Sequence, residues 1–472
     1  MKLSHTLRAT QVAFDDPNLV SLAGLVPTMA LAEAAGLRDL ADERLSVPSD
    51  KGANPGLKVA SLVAGMVAGA DSIDDMALLR HGGMGRVFTN AYAPSTLGSF
   101  LRAFTFGHVR QLDAVATRFL AGLAGRAPLL PVPAVPSRTV ADWAVLDIDD
   151  TVVEVHGYAK QGAGFGYNRV RGLNALIATL ATATGAPVIV AQRLRKGSTS
   201  SPRGAKRLVA DAARTANRLL PPGTPVLLRA DSAFYGRPTL SAALTGGAQV
   251  SVTVRLDPRV KAAIVGITQD AWTKIEYPHP VWDEAGGQWV SRAEVAETSY
   301  TAFSSAKKTE QVTGRLVVRR IPDLNPANKA GQGTLFDTWR YHAFFTTTDP
   351  DVFDTITADK THRGHAIIEQ VHADLKASAL AHLPSGVFTA NAAWLVCAVI
   401  AFNLTRAAAT LAGDDLAKAT SATVRRKLVA VPARIAHTAR RVVLHLPTRW
   451  PWEAGWNRLF TNAAGPPAAI PA

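Results

Sequence analysis

The stretch Val145-Leu146-Asp147-Ile148-Asp149-Asp150-Thr151 decides how the chain is read, because it is apolar enough for a buried strand yet carries three carboxylates. Unpaired carboxylates are costly to bury, so such a strand requires bound cations, hydrogen bonds or a water-filled cleft. A metal site meets that requirement most economically. Alternation puts Val145, Asp147 and Asp149 on one face and Leu146, Ile148 and Asp150 on the other. Either Asp147 or Asp149 could then point into a cleft. Asp149 lies nearer the strand end, where loops open to solvent, and is the favoured first ligand; Asp147 is the alternative. The same acids would also suit turn and capping positions at the start of a hairpin.

Downstream of this strand the period stays that of β-structure. Thr151 to Tyr158 reads as a second strand, and Leu173 to Leu180 with Pro187 to Arg193 as a strand pair around Gly185. The loop Gly162-Ala163-Gly164-Phe165-Gly166 lacks the spacing and the strand-to-helix context of a phosphate cradle. Arg193, Arg195, Lys196 and Arg203 surround a serine-rich turn, which suits either phosphate contact or a solvated loop. A helix over Ala205 to Leu220 stops at Pro221-Pro222-Gly223. Val226-Leu227-Leu228-Arg229-Ala230-Asp231 then reads as a short buried strand ending in an acid. Carboxylates at such strand ends face the crevice where ligands bind, so Asp231 is the second candidate. Residues 256 to 340 are β-prone and loop-rich, and their Trp272, Trp282, Trp289 and Trp339 are expected mostly in cores or on strand surfaces, with base stacking the minority role.

Asp359 to Lys376 is the third informative stretch. On one helix, His365, Glu369, His372 and Lys376 share a face, while Ile367, Ile368, Val371 and Leu375 form the opposite apolar stripe. An anchored helix would thus present Glu369 flanked by cations. A surface helix with ordinary pairs such as His365 with Glu369 is the plainer reading. A zinc site from His362, His365, Glu369 and His372 ranks below both, since it leaves the strand aspartates without a role.

The flanks read as helical. Residues 1 to 127 carry an amphipathic stripe of Leu97, Phe100, Leu101 and Phe104 with Ser95 placed as its cap, and Met29 to Leu40 with a break at Gly36 that could join two helices as in a helix-turn-helix. Pro128, Pro131, Pro133 and Pro136 mark a stiff linker. Thr389 to Leu411 is a strongly apolar helix; its most apolar run, Ala390 to Phe402, is 13 residues and too short to span a bilayer. From 413 to 472 the chain is expected to be a basic helical tail, with Lys418, Arg425, Arg426, Lys427, Arg434, Arg440, Arg441 and Arg449 ahead of Trp450, Trp452 and Trp456. That tail suits either DNA or a solvated basic face.

Composition narrows the class. The chain has 472 residues, 47% hydrophobic, so it supports real cores rather than general disorder. The first residues show no secretory pattern, and the single Cys397 excludes an internal disulfide framework; a reducing cytoplasm and no membrane partner are expected. The 51 basic and 37 acidic groups give +14, concentrated in residues 131–255 (15 basic, 7 acidic) and 377–472 (10 basic, 3 acidic). Such an excess favours a polyanion, double-stranded DNA above all, over a merely arginine-rich composition.

The element order, strand with acid, two strands, helix, strand ending in acid, long insertion, helix with acid, is that of a ribonuclease-H-like α/β fold. The expected units are a helical region 1–127, a catalytic domain 138–255 and 341–412 with a mixed sheet, a β-rich insertion 256–340, and the tail. Asp149, Asp231 and Glu369 would then converge. Like charges that close call for Mg²⁺ or Mn²⁺, and two ions roughly 4 Å apart could activate water or a 3′-hydroxyl for in-line attack on a phosphodiester. Lys376 could hold a DNA phosphate or a terminal base.

Leu146-Asp-Ile-Asp149-Asp-Thr151, Arg229-Ala-Asp231-Ser-Ala-Phe-Tyr235 and Glu369-Gln-Val-His-Ala-Asp-Leu-Lys376 resemble the motifs of DDE transposases of bacterial insertion sequences, specifically the insertion sequence 1380 family. The likeness extends to Ala390-Asn-Ala-Ala-Trp394 and Trp450-Pro-Trp452. It implies cut-and-paste transposition with Asp149, Asp231 and Glu369 as catalytic metal ligands, and N-terminal helices and an insertion that help to bind terminal inverted repeats. A homodimer on DNA is expected. The wider group often has Tyr seven residues and Arg four residues before the glutamate; this chain has His362 and His365 there, and Arg363 is the candidate substitute. The expected DNA contacts are Lys376, Arg363, His365, Arg193, Arg195, Lys196, Arg425, Arg426 and Lys427. An inactive or domesticated repeat-binding protein, and a ribonuclease-H-like nuclease without strand transfer, are the alternatives.

Overall fold

A computed structural model describes residues 1–48, 50–133, 137–283, 287–322, 339–438 and 441–464. Pro136 of the linker and Arg440 of the tail lie outside them. The N-terminal third contains β1 (Leu19–Val20), α1 (Leu25–Ala34), α2 (Leu37–Arg44), α3 (Pro55–Ala68), α4 (Met84–Val87), α5 (Pro94–Arg102) and α6 (Phe106–Ala124). Gly36, at φ +85°, makes the break between α1 and α2. Ser95 is not a cap: α5 begins at Pro94 with Ala93 as N-cap, because the fixed φ of proline suits the first helical position.

The middle of the chain supplies β2 (Ala144–Glu154), β3 (Gly164–Phe165), β4 (Arg171–Ala181), β5 (Val188–Lys196), α7 (Ala205–Leu219), β6 (Val226–Ala230), α8 (Arg237–Thr245) and β7 (Ala248–Thr253). Then follow α9 (Pro258–Val265), β8 (Thr273–Asp283), β9 (Gln288–Ala302), β10 (Val312–Pro322) and β11 (Trp339–Thr346). Thr151 to Tyr158 is not a strand of its own. The ladder from Val145↔Ala181 to Glu154↔Gly172 is unbroken, since buried Val152 and Val153 carry the apolar pattern through Thr151.

The ten-stranded sheet runs β3-β4-β2-β6-β7-β11-β10-β9-β8, with β5 also on β4. Its centre, β5-β4-β2-β6-β7, has antiparallel β5, β4 and β2 followed by parallel β2, β6 and β7. This is the strand order of a ribonuclease-H-like sheet. The strands of the 256–340 stretch do not form a sheet apart: β11 pairs with β7 and carries the main sheet onward into β10, β9 and β8.

The C-terminal part has α10 (Thr355–Arg363), α11 (Ile367–Lys376), α12 (Phe388–Ala412), α13 (Asp414–Ala417), α14 (Ser421–Val424), β12 (Ala433–Thr438), β13 (Arg441–His445) and α15 (Glu453–Ala464). The 359–376 stretch is therefore two helices, separated by a 3₁₀ turn at Gly364–Ala366. The tail is not helical throughout either, for β12 and β13 form a hairpin that pairs with β1. At 25 residues α12 is long and apolar enough to cross a membrane, unlike the shorter run read from the sequence, but 89% of its most apolar window is buried inside the protein. It is the core helix against which α3, α6, α15 and β5 pack. Asn403 ties it to β5 through both backbone groups of Ile189, at 2.9 and 2.8 Å.

Candidate active site

The register of the parallel pair β2 and β6 is the starting point. Ile148 pairs with Ala230 at the end of the ladder, so Asp149 and Asp231 are the next residues on neighbouring strands. β6 stops there because Asp231 turns into a cap, accepting the Ala233 amide at 2.9 Å.

The acids of β2 have different fates. Asp147 is 1% exposed and is held bidentately by Arg229 of β6, at 2.8 and 2.7 Å, and by His365 Nδ1 at 2.8 Å. Arg229 also donates to the Thr361 carbonyl at 2.5 Å, so this pair fastens the α10–α11 turn to the sheet. Asp147, the alternative first ligand, is thereby engaged by Arg229 and His365: an arginine in an otherwise apolar strand needs an acid, and Asp147 is its cross-strand partner. Asp150, on the other face, accepts from Asn174 and Arg195, both at 2.5 Å. Asp149 alone of the three has no arginine. It accepts the Asp150 amide at 2.7 Å, and His372 Nδ1 lies 3.6 Å from its other oxygen.

The electrostatics follow from this. Burial pushes the Asp149 carboxyl up to about 7, the Asp150 amide opposes the shift, and the nearby Asp231 adds to it. Asp231 is raised too, again chiefly by desolvation, with the Ala233 amide and His365 opposing it. Burial, with Lys376 and His365 nearby, lowers His372 to about 4, so near pH 7 this imidazole is neutral and compensates nothing.

Glu369 stands on the exposed side of α11, three residues before His372. The Tyr167 phenol, in the turn between β3 and β4, is raised by partial desolvation and then by the combined field of Asp149, Asp150, Asp231 and Glu369. Among the described residues, no three His, Cys, Asp or Glu side chains are close enough to form a ready metal-ligand group. The donor chemistry nevertheless fits a hard divalent cation: among the described residues, Asp149 and Asp231 are oxygen donors lacking a paired arginine, and buried His372 Nε2 has no hydrogen-bond partner. His362 does not join a zinc set. It lies between the Ser251 and Thr253 hydroxyls, 2.9 Å from each, and stacks on Phe344.

Several expected DNA contacts are already occupied. Arg195 is buried, donating to Asn174, Asp150 and the carbonyls of Ser201 and Arg203, so it fixes the approach to α7 rather than phosphate. Arg193 is bound to Asp113 at 2.8 Å and to Asp211, clamping α6 to α7. Arg363 pairs with Asp359 at 2.8 Å and covers the Tyr277 ring, and His365 holds Asp147. Lys427 sits over Trp452, and Arg425 lies against Gly69. Lys196, Lys376 and Arg426 are exposed.

Sequence reasoning missed the role of Arg229, which was legible as a charge stranded in an apolar run.

The whole constellation lies within a match over residues 4–464 to the family described as "Transposase DDE domain group 1". The chain belongs to that family. Among solved structures, this transposase-family chain is similar to a piggyBac transposase in a synaptic complex with hairpin DNA, at 9% identity and a TM-score of 0.38, over 99% of this chain and 88% of that one. No curated protein matches it.

Proposed function

We propose that the chain is a DNA transposase of the insertion sequence 1380 type. It binds the terminal inverted repeats of its element as a homodimer in the bacterial cytoplasm, and catalyses metal-dependent strand cleavage and strand transfer. The observation that carries this reading is the β2–β6 register, which sets Asp149 beside Asp231 while Asp147 and Asp150 are neutralised by arginines.

Asp149, Asp231 and Glu369 would hold Mg²⁺ or Mn²⁺, which when bound supplies activation of the attacking oxygen and stabilisation of the leaving one. The chain's own residues prepare this. Arg229 and Asp147 fix the turn from which α11 presents Glu369. His372, uncharged near neutral pH, lies beside Asp149 without neutralising it. Exposed Lys376 at the end of α11 is available to a phosphate.

The test is incubation of the full chain with linear DNA carrying the element's ends in Mg²⁺ or Mn²⁺. Cleavage at the ends with joined products is expected, and Asp231→Ala should abolish it. Undiminished cleavage by that variant refutes the site. Specific binding without cleavage leaves a repeat-binding protein, and hydrolysed ends alone leave a nuclease.

A further inference from the structure

A second charged region lies away from the cleft. Helices α6 and α7 and strand β5 enclose a groove of about 190 Å³ whose walls include Arg118, Arg214 and Arg218. Its acids are already occupied: Asp113 receives Arg110, Arg193 and Gln192, and Asp211 receives Arg193, Arg110 and Arg214. Arg118 bonds only the Ala114 carbonyl of its own helix, and Arg218 meets no acid among the described residues. Desolvation, with Arg44 and Arg218 close by, lowers the Arg118 guanidinium from its usual range, and Glu43, itself paired with Arg44, opposes the shift. Lys206 and Arg207 extend the exposed basic face along α7. A fold that crowds cations around phosphate-sized space, having neutralised the acids there, is complementary to a polyanion.

The groove lies at the free edge of β5, where the consecutive Gln192 and Arg193 reach Asp113 from the two faces of the sheet, whereas the cleft lies at the ends of β2 and β6, with β4 between. α7 covers the Asp150 face, to which Arg195 ties its approach, whereas His372 of α11 lies beside Asp149.

We propose that the α6–α7 groove binds the phosphate backbone of duplex DNA as a second contact, separate from the segment at the cleft. The inference rests on the DNA reading above. Its partner is committed by charge and by the absence of aromatic side chains from the groove lining, which suits backbone contact rather than base stacking.

The experiment compares the full chain with its Arg118→Glu/Arg218→Glu variant, using a fluorescent duplex titrated across a salt series. The variant should bind about ten-fold more weakly, with a log–log salt slope shallower by about two, at an unchanged melting temperature. Hydroxyl-radical footprinting should show loss of a protected patch distant from the cleavage position. Unchanged affinity and slope, or lost protection only beside the cleavage position, would overturn the groove while leaving the proposed function intact. A wild-type chain with no affinity for duplex would overturn both.

Discussion

Asp149 and Asp150 are adjacent, alike in chemistry and opposite in circumstance. Asp150 faces α7 and is enclosed by Arg195 and Asn174, whereas Asp149 faces α11 and is left with an amide and a neutral imidazole. The difference separates a carboxylate paired with an arginine inside the fold from one left without such a partner among the described residues. A buried ion pair is retained by the desolvation that either partner would suffer alone. A buried carboxyl raised in this way, with no arginine partner among the described residues, costs stability at neutral pH.

Removing the compensation from the structural acid should have the largest effect. Arg195→Met strands Asp150 and is expected to lower unfolding free energy by about 3–5 kcal/mol in urea titrations, with much of it recovered in Arg195→Met/Asp150→Leu. No recovery in the double variant would show that Arg195 acts through its carbonyl contacts instead.

The complementary change should have the opposite sign. The folded carboxyl of Asp149 is raised from its ordinary 3.8 to about 7, so the unfolded chain is the first to lose this proton as pH rises. Its contribution to stability therefore falls between about pH 4 and pH 7 and stays unfavourable above that range. In metal-free buffer, Asp149→Asn should stabilise the protein by about 1–3 kcal/mol at pH 8 and little at pH 4. Added Mn²⁺ should raise the melting temperature of wild type but not of the variant. Equal metal stabilisation of both would remove Asp149 from the site.

Acid should act through the buried histidines. Burial holds His362 at about 3 and His372 at about 4, so the unfolded chain takes up protons near pH 6.5 that the folded one refuses. Stability is then lost as pH falls from about 6.5 toward 4, and His362→Gln should flatten that limb of the pH–stability curve. The smallest effect is expected at Lys196, exposed one residue beyond buried Arg195. Lys196→Ala should change stability by no more than about 0.5 kcal/mol and make the salt slope of DNA binding shallower by about one if it meets a phosphate.

Much of the architecture was readable in the chain. The apolar runs Leu173 to Leu180 and Pro187 to Arg193 announced β4 and β5, the Pro221-Pro222-Gly223 stop ended α7 one residue early, and the strand ending in Asp231 lay where the register needed it. The misreadings share a cause. Ser95 was outranked by a proline beside it, and the 359–376 helix broke where Arg229 crowds Gly364, its guanidinium 2.5 Å from where a Cβ would stand. Arg193 and Arg195 looked like phosphate ligands because a sequence shows a charge without showing which acid, many residues away, already owns it.

Sequence by itself determined most of the strands and helices, the basic surplus and the set of acids from which a site could be built, because these depend on local periodicity and on the cost of burying charge. Only the tertiary structure decided which acid was spent and which was spare. That choice depends on pairs such as Asp147 with Arg229 and Asp150 with Arg195, whose members meet only when distant strands are laid side by side.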